Sequence, residues 1–507
     1  MSVDERESGV ATAAVVDALG RAGLLEAVVG TLPERLAGVA DDSRRVVAGG
    51  LFVAVKGAQD DGHRFLAAAE RGGAAAAMVE RGGETGLPAI VVRDGRRAAA
   101  VAAAAYYGEP AGALTLVGVT GTNGKTTTVA MLRHLLDAPG ARAASVGTLG
   151  VLVGSPGEAL PGGGGLTTPG PVELQRVLRG LVDAGVRAVA IEVSSHALDQ
   201  RRVEGVRFAA GVFTNLTRDH LDYHGTMEAY LAAKAKLVGA LAAGGAAVVN
   251  ADDRAWDQLP AAPRTVRWGL ARDAADARAR GLDVAAAGVR SAPGGTEFVL
   301  VTAGGETPAR VPLVGDYNAA NALGAAAAAI ALGMAPGAAA ARLATLPQVP
   351  GRLELLHASP AVLRDYAHTP DSLRRALAAV RPFAAGRVIV VFGAGGDRDR
   401  GKRPEMARAA EAGADVVILT SDNPRTEDPE RILDDVAAGL ARPHERVEDR
   451  RRAIARALEI AGPDDLVLLA GKGHETYQIR GTETLHFDEA EIVRELTAGR
   501  AAAGSVR

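Results

Sequence analysis

The chain has 507 residues. A single hydrophobic core rarely stabilises a chain of this length, so we expect several domains. Its net charge of −3 at pH 7 argues against a surface that coats nucleic acid. The sequence contains no cysteine, which excludes disulfides and thiolate metal sites.

The first block, residues 1–110, opens with the polar, acidic segment MSVDERESG, which is not a secretory signal. Short apolar runs at 50–55 and 89–92 predict strands among alanine-rich helices. The most apolar long run of the chain, at 319–344, contains glycine and proline, and therefore predicts two packed helices rather than a membrane span. We expect a cytoplasmic protein without membrane insertion.

The next two blocks alternate apolar runs with helical patterns, which is typical of parallel βαβ units in doubly wound α/β domains. The predicted strands are 114–119, 188–193, 210–215 and 246–251, then 387–393, 415–421 and 465–471. A glycine- and proline-rich stretch at 154–165 predicts a surface loop.

Polar motifs directly follow these strands: TGTNGKT, SSH, LTRDHLD, GAGGDRD, DNPR and GKGHE. Ligands of open parallel sheets bind outside the carboxyl ends of the strands. We therefore expect the motifs of each block to converge on one sheet edge, and the two edges to face each other across a cleft.

The segment GVTGTNGKTTT, residues 118–128, lies between a predicted strand and a predicted helix. It departs from the strict G-x-x-x-x-G-K-[ST] pattern because Val119 occupies the place of the first glycine. Free N–H groups at the start of a helix still suit a triphosphate, with Lys125 neutralising its β/γ oxygens and the Thr126 hydroxyl ligating Mg²⁺. A glycine turn that merely caps the helix is the alternative.

Only six of the 57 basic residues are lysine: Lys56, Lys125, Lys234, Lys236, Lys402 and Lys472. Since arginine supplies positive charge elsewhere, each lysine is a candidate for a task that arginine cannot perform. A primary amine can react with CO₂ to form a carbamate, in effect an extra carboxylate able to bind Mg²⁺. Lys234, within the alanine-rich part of 215–236, is the candidate for this role, and a solvated helix face is its alternative.

Seven motifs, in chain order, resemble those of the Mur ligase family: GVTGTNGKTTT, EVSSHALDQRRV (192–203), NLTRDHLDYHG, AAK, GDYNAAN (315–321), GRLE (351–354) and DYAHTP (365–370). These are the ATP-dependent amide-forming enzymes of peptidoglycan precursor synthesis, whose shared loop is T-G-T-N-G-K-T. The resemblance implies an α/β fold with three domains. They are a small N-terminal α/β domain that binds the UDP-muramyl substrate (1–110), a central P-loop-type doubly wound ATPase domain (111–348) and a C-terminal Rossmann-like α/β domain that binds the amino acid (349–507).

Within the family, the motifs DSR, LFVAVKG, DGH and TTPGP (167–171) resemble those of members that act on UDP-N-acetylmuramoyl-L-alanyl-D-glutamate. DNPR (422–425) resembles the signature for meso-diaminopimelate. The chemistry agrees, because diaminopimelate ends in an extra carboxylate that the planar guanidinium of Arg425 can bind through two hydrogen bonds. The resemblance implies that diaminopimelate is added to the D-glutamate γ-carboxylate through an acyl phosphate, with release of ADP.

The resemblance implies five sets of functional residues in this chain, each assigned from a matching motif position. The catalytic set is Lys125, Glu192, His220 and Lys234, and the metal set is Thr126, Glu192, His220 and Lys234. The ATP set is Gly121, Thr122, Asn123, Gly124, Lys125, Thr126, Thr127, Asn318, Asn321, Arg352 and Asp365. The UDP-muramyl-dipeptide set is Ser43, Gln59, Thr167, Thr168, Ser194, Gln200 and Arg202. The diaminopimelate set is Arg398, Asp422, Asn423, Pro424, Arg425, Gly471 and Glu475.

The resemblance also implies ATP, two Mg²⁺ sites and N6-carboxylysine at Lys234. The expected partners are small-molecule substrates, with no nucleic acid, and the chain is expected to be a monomer. Three alternatives stay open: the same ligase adding L-lysine, a folylpolyglutamate-synthase-like ligase, and a nucleotide-binding regulator without ligase activity. DNPR argues against the first two, and the regulator leaves the carboxylate-reading residues of the third block unexplained.

Overall fold

The computed structural model describes residues 9–57, 60–81, 85–163, 165–292 and 295–504. Gln59, one of the residues expected to bind the muramyl substrate, lies outside these ranges. The described chain forms three principal sheets, one within each predicted domain. The domain boundaries near residues 110 and 348 stay predictions.

The N-terminal sheet has, in spatial order, the strands Leu25–Val29, Ala89–Val92, Ala76–Val79, Leu51–Val53 and Val39–Ala40. Its first pair is antiparallel and the others are parallel. The helices Thr12–Arg21 and Gly95–Tyr106 pack on one face, and the helix Leu66–Arg71 packs on the other. A short strand pair, Val10–Ala11 with Arg35–Leu36, lies beside it.

The central sheet is mixed, with a parallel core and antiparallel edges. Its strands run in the order Glu158–Leu160, Gly150–Val153, Arg142–Gly147, Val186–Glu192, Thr115–Thr120, Phe208–Phe213, Leu241–Asn250, Arg264–Ala271, Val284–Ala292, Gly295–Thr302 and Gly305–Val311. The two strands at each end are antiparallel to their inner neighbours, and the rest are parallel. Apolar side chains on both faces of the parallel strands require helices on both faces.

Helices cover both faces of this sheet. Lys125–Leu136, Asp316–Ala331 and Pro336–Leu343 share one buried cluster, and Pro171–Asp183 and Met227–Gly239 share the cluster on the opposite face. The prediction of two packed helices within 319–344 is confirmed. Shorter helices at Ser195–Asp199, Leu221–His224 and Ala274–Ala279 complete this part. Among the described helices, none combines the length and hydrophobicity needed to span a bilayer.

The C-terminal sheet runs in the order Glu354–Ala358, Ala361–Asp365, Leu466–Ala470, Val388–Phe392, Val416–Leu419 and Glu445–Arg446. All pairs are parallel except the first. The helices Pro370–Val380, Lys402–Gly413 and Pro429–Ala437 pack on one face, and Arg450–Ile460 and Glu489–Gly504 pack on the other. A separate hairpin, Tyr477–Arg480 with Glu483–His486, follows the last parallel strand.

The stretch 154–165, predicted as a loop, contains the edge strand Glu158–Leu160. Gly154 and Gly157 adopt positive φ angles of 72° and 82°, which lets the chain turn back and pair with Gly150–Val153. All three side chains of Glu158–Leu160 are exposed, so no apolar alternation marks this strand in the sequence.

Candidate active site

A cavity of about 1280 Å³ lies where the carboxyl ends of the central and C-terminal parallel strands face each other. Strand Thr115–Thr120 has Val186–Glu192 on one side and Phe208–Phe213 on the other, so the chain changes direction across the sheet at this strand. Such a switch point opens a crevice beyond the strand ends. The expected convergence of the motifs on one cleft is therefore observed.

The loop after Thr115–Thr120 needs glycine at two positions. Gly121 and Gly124 have φ angles of 148° and 85°, and a Cβ at either would collide with Thr214 or Asn321. The loop is held by Asn215, whose backbone O accepts from Thr122 N at 2.7 Å and whose Oδ1 accepts from Asn123 N at 3.0 Å. The helix Lys125–Leu136 then begins, so its first N–H groups face the cavity as a triphosphate would require.

Lys125 and Thr126 are the polar side chains at the start of this helix. Lys125 Nζ donates to the carbonyls of Gly121 and Thr122 at 2.9 and 2.7 Å, and burial lowers the pKa of Lys125. Arg352 Nη2 donates to Thr126 Oγ1 at 2.9 Å, which ties the C-terminal part of the chain to the glycine loop.

Glu192 lies at the end of its strand and is only 1% exposed. Its Oε2 accepts from Thr126 Oγ1 at 3.1 Å, and its Oε1 accepts from Thr148 N at 2.8 Å. Burial raises the pKa of Glu192, and the nearby charge of Lys125 opposes that shift. A carboxylate and a hydroxyl are thereby adjacent at the mouth of the glycine loop.

Lys234 lies on the helix Met227–Gly239, whose start is capped by Thr226 Oγ1 accepting from Ala229 N at 3.2 Å. The lysine is 1% exposed, and its Nζ donates to Gly121 O at 2.7 Å. Burial, followed by repulsion from Lys125, holds the pKa of Lys234 well below its usual range. The predicted solvated-face alternative for Lys234 is wrong, because the alanine-rich helix packs against the sheet with this side facing the cavity.

His220 precedes the helix Leu221–His224 with a φ of 54°. Its ring packs edge-on against His196, with centroids 4.8 Å apart, and its Nε2 lies 3.4 Å from Asp219 Oδ2. Burial lowers the pKa of His220 to about 4, although Asp219 opposes the shift. The imidazole is therefore neutral near pH 7, the state in which it can ligate a metal.

Mg²⁺ prefers oxygen ligands and usually takes one or two carboxylates together with substrate phosphates. The adjacent oxygens of Thr126 and Glu192 fit this requirement. Within the described ranges, no group of three or more His, Asp or Glu side chains is arranged to hold a metal by itself. Any ion here would therefore draw part of its coordination from other oxygens.

On the nucleotide side, Asn321, Arg352 and Asp365 line the cavity. Asn318 is buried beside it, where its Nδ2 donates to Val314 O at 2.8 Å. Asp365 Oδ2 accepts from Leu353 N at 2.8 Å, and burial raises the pKa of Asp365 to about 6. Arg352 and Asp365 thus line the same cavity as the glycine loop.

The raised pKa of Asp365 gives a pH-dependent stability. Its folded pKa of about 6 exceeds the unfolded value, so the favourable contribution is present at low pH and lost as pH rises through about 6. We expect the Tm of Asp365→Asn, relative to wild type, to rise by about 2–4 °C between about pH 5 and pH 7.5 in thermal unfolding.

Asp435→Asn is the matched control. Hydrogen bonds from Arg403 lower the pKa of Asp435, so its titration falls below this window and its Tm difference should be flat. A flat difference for Asp365→Asn as well would contradict the raised pKa.

The muramyl set is only partly gathered at the cavity. Thr167, Ser194, Gln200 and Arg202 line it. Thr168 is buried behind them, where its Oγ1 donates to Glu192 O at 2.7 Å. Ser43 lies in the 3₁₀ turn Ser43–Arg45 of the N-terminal part, outside the residues that line the cavity.

The diaminopimelate set gathers at the opposite wall, where Arg398, Asp422, Asn423, Arg425, Gly471 and Glu475 line the cavity. Pro424 is buried and does not line it. Arg425 has a φ of 52°, its N donates to Ile479 O at 3.1 Å, and its Nη1 donates to Gly396 O at 2.7 Å. The hairpin 477–486 therefore holds the backbone of Arg425, and the Gly396 carbonyl holds its guanidinium.

Comparisons with known proteins agree with this arrangement. The model described as "Mur ligase middle domain" matches residues 119–329, and "Mur ligase, glutamate ligase domain" matches 351–473. A relative from Gloeobacter violaceus, named UDP-N-acetylmuramoyl-L-alanyl-D-glutamate--2,6-diaminopimelate ligase, is 46% identical over 92% of this chain and 95% of its own. The chain belongs to the Mur ligase family.

Other Mur ligases match over similar lengths. A ligase of the same name from Geobacillus kaustophilus is 44% identical over 89% of this chain and 93% of its own. A solved structure under that name has a TM-score of 0.63 at 34% identity, covering 92% of this chain and 96% of its own. The ADP complex of MurF ligase from Thermotoga maritima, with a TM-score of 0.63 at 21% identity over 90% of this chain and 96% of its own, shares the fold.

This Mur ligase also has cavity residues that the motif assignment missed, among them Asp219, His368 and Lys402. The scarcity of lysine could have indicated Lys402, which lies at the start of the helix Lys402–Gly413 and whose pKa is lowered by burial. Lys125, Lys234 and Lys402 line the cavity and Lys472 is buried next to it, whereas Lys56 and Lys236 are exposed.

Proposed function

We propose that the chain is an ATP-dependent, ADP-forming ligase that joins meso-diaminopimelate to the D-glutamate γ-carboxylate of UDP-N-acetylmuramoyl-L-alanyl-D-glutamate. One observation carries this conclusion: the glycine loop and the DNPR segment face each other across a single cavity. A phosphate-binding loop alone would suit many nucleotide enzymes. The opposing wall, with Arg425 among carboxylates, suits an amino acid that carries an extra carboxylate and ammonium.

In the first step, an oxygen of the γ-carboxylate attacks the γ-phosphorus of ATP, and the bond to the β/γ-bridging oxygen breaks to release ADP. Two anions must approach each other, so positive charge and positioning dominate the barrier. Lys125 and the N–H groups at the start of its helix supply that charge. Arg352, donating to Thr126 Oγ1 at 2.9 Å, brings a second cation from the C-terminal part.

In the second step, the free amine of diaminopimelate attacks the carbonyl carbon of the acyl phosphate. The carbon–oxygen bond to phosphate breaks, the nitrogen loses a proton, and an amide and inorganic phosphate result. The DNPR and GKGHE segments hold the distal end of the amino acid, so the reacting amine projects toward the glycine loop. Such positioning replaces an encounter in solution by an intramolecular approach.

One Mg²⁺ would be held by Thr126 and Glu192. A second would be held by Glu192, His220 and carbamylated Lys234. Bound at these positions, the two ions would neutralise phosphate charge. The burial of Lys234 beside the glycine loop, with Nζ 2.7 Å from Gly121 O, supports the carbamate. Its pKa is held well below the usual range, so a fraction of its amine is neutral, the form that attacks CO₂. The carbamate reverses the charge at this position from positive to negative.

The remaining assignments follow from the same cleft. Thr167, Ser194, Gln200 and Arg202 line the cavity, and in this proposal they contact the muramyl dipeptide, whose γ-carboxylate is the group that reacts. Ser43 and Gln59 belong to the N-terminal domain, which would hold the uridine end. We propose a monomer in the cytoplasm acting on small molecules.

The proposed activity predicts that phosphate release from ATP requires both the UDP-muramyl dipeptide and meso-diaminopimelate. Measured with Mg²⁺, the rate should fall to background when either is omitted, because the acyl phosphate needs the first and its consumption needs the second. L-lysine is the matched alternative to diaminopimelate. Equal turnover with L-lysine would contradict the assigned specificity, and release that needs neither substrate would contradict ligase activity.

A folylpolyglutamate-synthase-like activity is not favoured. A folylpolyglutamate synthase from Mycobacterium tuberculosis shares the fold, with a TM-score of 0.61 at 20% identity, but matches only 74% of this chain. The cavity wall that contains the DNPR segment, called the DNPR wall below, favours diaminopimelate as the amino-acid substrate.

A further inference from the structure

Lys472 is a buried cation outside every residue set assigned above. It follows the strand Leu466–Ala470 in the GKGHE motif, and its side chain is 0% exposed. Its nearest ring neighbours are Tyr477 and Phe487, whose centroids lie 5.7 and 5.9 Å from Nζ. A charge buried so deeply persists only when it is paired and hydrogen-bonded.

The two acceptors of Lys472 are both residues of the DNPR wall. Its Nζ donates to Asn423 Oδ1 at 3.1 Å and to Glu475 Oε2 at 3.1 Å. Lys472 itself is enclosed, whereas Asn423 and Glu475 line the cavity. The lysine can therefore influence a ligand only through these two side chains.

Lys472 also determines which way the Asn423 amide faces. Asn423 Oδ1 accepts from both Lys472 Nζ and Ile479 N, the latter at 3.0 Å, so the oxygen must lie on that side. The Asn423 NH₂ group then donates to Glu475 Oε2 at 2.9 Å. Reversing the amide would set its NH₂ group against an ammonium and an N–H, losing both hydrogen bonds.

We propose that Lys472 is a positioning residue for amino-acid selection, holding Asn423 and Glu475 in the arrangement that accepts the zwitterionic end of diaminopimelate. This inference rests on the proposed function. Arg425 attracts the distal carboxylate, while Asp422 and Glu475 attract the distal ammonium. Lys472 offsets one of these two negative charges, so the wall suits a zwitterion rather than a bare cation.

Without Lys472, the wall changes in two ways that favour L-lysine over diaminopimelate. Glu475 loses a cationic partner, which strengthens the attraction for the bare ammonium of L-lysine. Asn423 loses one of the two donors that orient its amide, so it no longer presents one fixed face to the distal group. Both effects concern amino-acid binding and leave the glycine loop unaltered.

The test is Lys472→Met, which keeps an unbranched apolar stem and removes the charge. We expect the KM for meso-diaminopimelate to rise about 10-fold or more, as for loss of hydrogen bonds to a charged group. The ratio of kcat/KM for diaminopimelate to that for L-lysine should fall by a similar factor. The KM values for ATP and for the UDP-muramyl dipeptide should stay within about 2-fold, since a general loss of structure would move all of them.

Lys472→Gln is measured in parallel, because its amide keeps one donor in the buried position and should give a smaller change. Lys236→Met is the control: Lys236 is exposed, paired with Asp199 at 2.7 Å, and lies on the helix Met227–Gly239, outside the residues that line the cavity. An unchanged selectivity ratio in Lys472 variants that unfold cooperatively would overturn the inference, as would failure of both variants to fold. Failure of the wild type to release phosphate with diaminopimelate would instead contradict the proposed function.

Discussion

Replacing Lys234 with arginine is expected to lower kcat by about 100-fold or more while the chain still folds. The guanidinium keeps the positive charge and can still donate to Gly121 O, which Lys234 Nζ reaches at 2.7 Å. It cannot form a carbamate, however, so the negative oxygen ligand proposed for Mg²⁺ is lost. Phosphate release with both substrates measures the rate, and thermal unfolding measures the fold.

A second measurement separates the carbamate from other effects of the larger side chain. After equilibration with ¹³C-bicarbonate, the wild type should show a carbamate carbon resonance that Lys234→Arg lacks. Lys236→Arg is the matched control, since it lies on the same helix but its side chain is 51% exposed. Its rate should stay within about 2-fold of wild type, as for most surface substitutions. Full activity of Lys234→Arg would remove the carbamate from the mechanism.

Arg425→Ala is expected to raise the KM for meso-diaminopimelate about 100-fold, with a much smaller effect on the KM for ATP. Removing one partner of a buried, hydrogen-bonded charge pair costs about 2–5 kcal/mol, and the distal carboxylate would lose its guanidinium. Alanine keeps a Cβ, so the backbone at φ 52° experiences no new strain relative to arginine. Steady-state kinetics with diaminopimelate and with L-lysine measure the effect.

Arg431→Ala serves as the control for Arg425→Ala, because Arg431 is exposed on the neighbouring helix Pro429–Ala437. Its kinetics should match those of wild type. If the KM of Arg425→Ala for diaminopimelate equalled that of wild type, another group would have to bind the distal carboxylate. The role assigned to the DNPR segment would then be wrong.

The parallel strands could be predicted because burial leaves a local trace. All five side chains of Val388–Phe392 are buried, and the sequence shows an uninterrupted apolar run followed at once by a polar motif. The hairpin strand Glu483–His486 has four exposed side chains and no such run, so nothing local distinguishes it from a loop. Its importance comes from its partner strand, which holds the backbone of Arg425.

The site was predictable where one motif supplies both the ligand-binding atoms and the turn that presents them, as at Gly124 and Lys125. The direct contacts between distant segments were not predictable, although the resemblance had already assigned both partners of each pair below to the same residue set. Arg352 and Thr126 are 226 residues apart in sequence, and Asn423 and Glu475 are 52 apart. Periodicity and spacing cannot report such pairings. The role inferred for Lys472 emerges only when both segments are seen together.

The placement of the lysines has a practical consequence. Four of the six ε-amines lie in or next to the cavity, and only Lys56 and Lys236 are on the outer surface. An amine-reactive reagent should therefore label the two exposed lysines at a constant level. Its labelling of the other four should depend on whether the cleft is accessible. Because arginine supplies most of the positive surface charge, the reactivity of the four lysines in or next to the cavity can report whether substrates occupy the cleft.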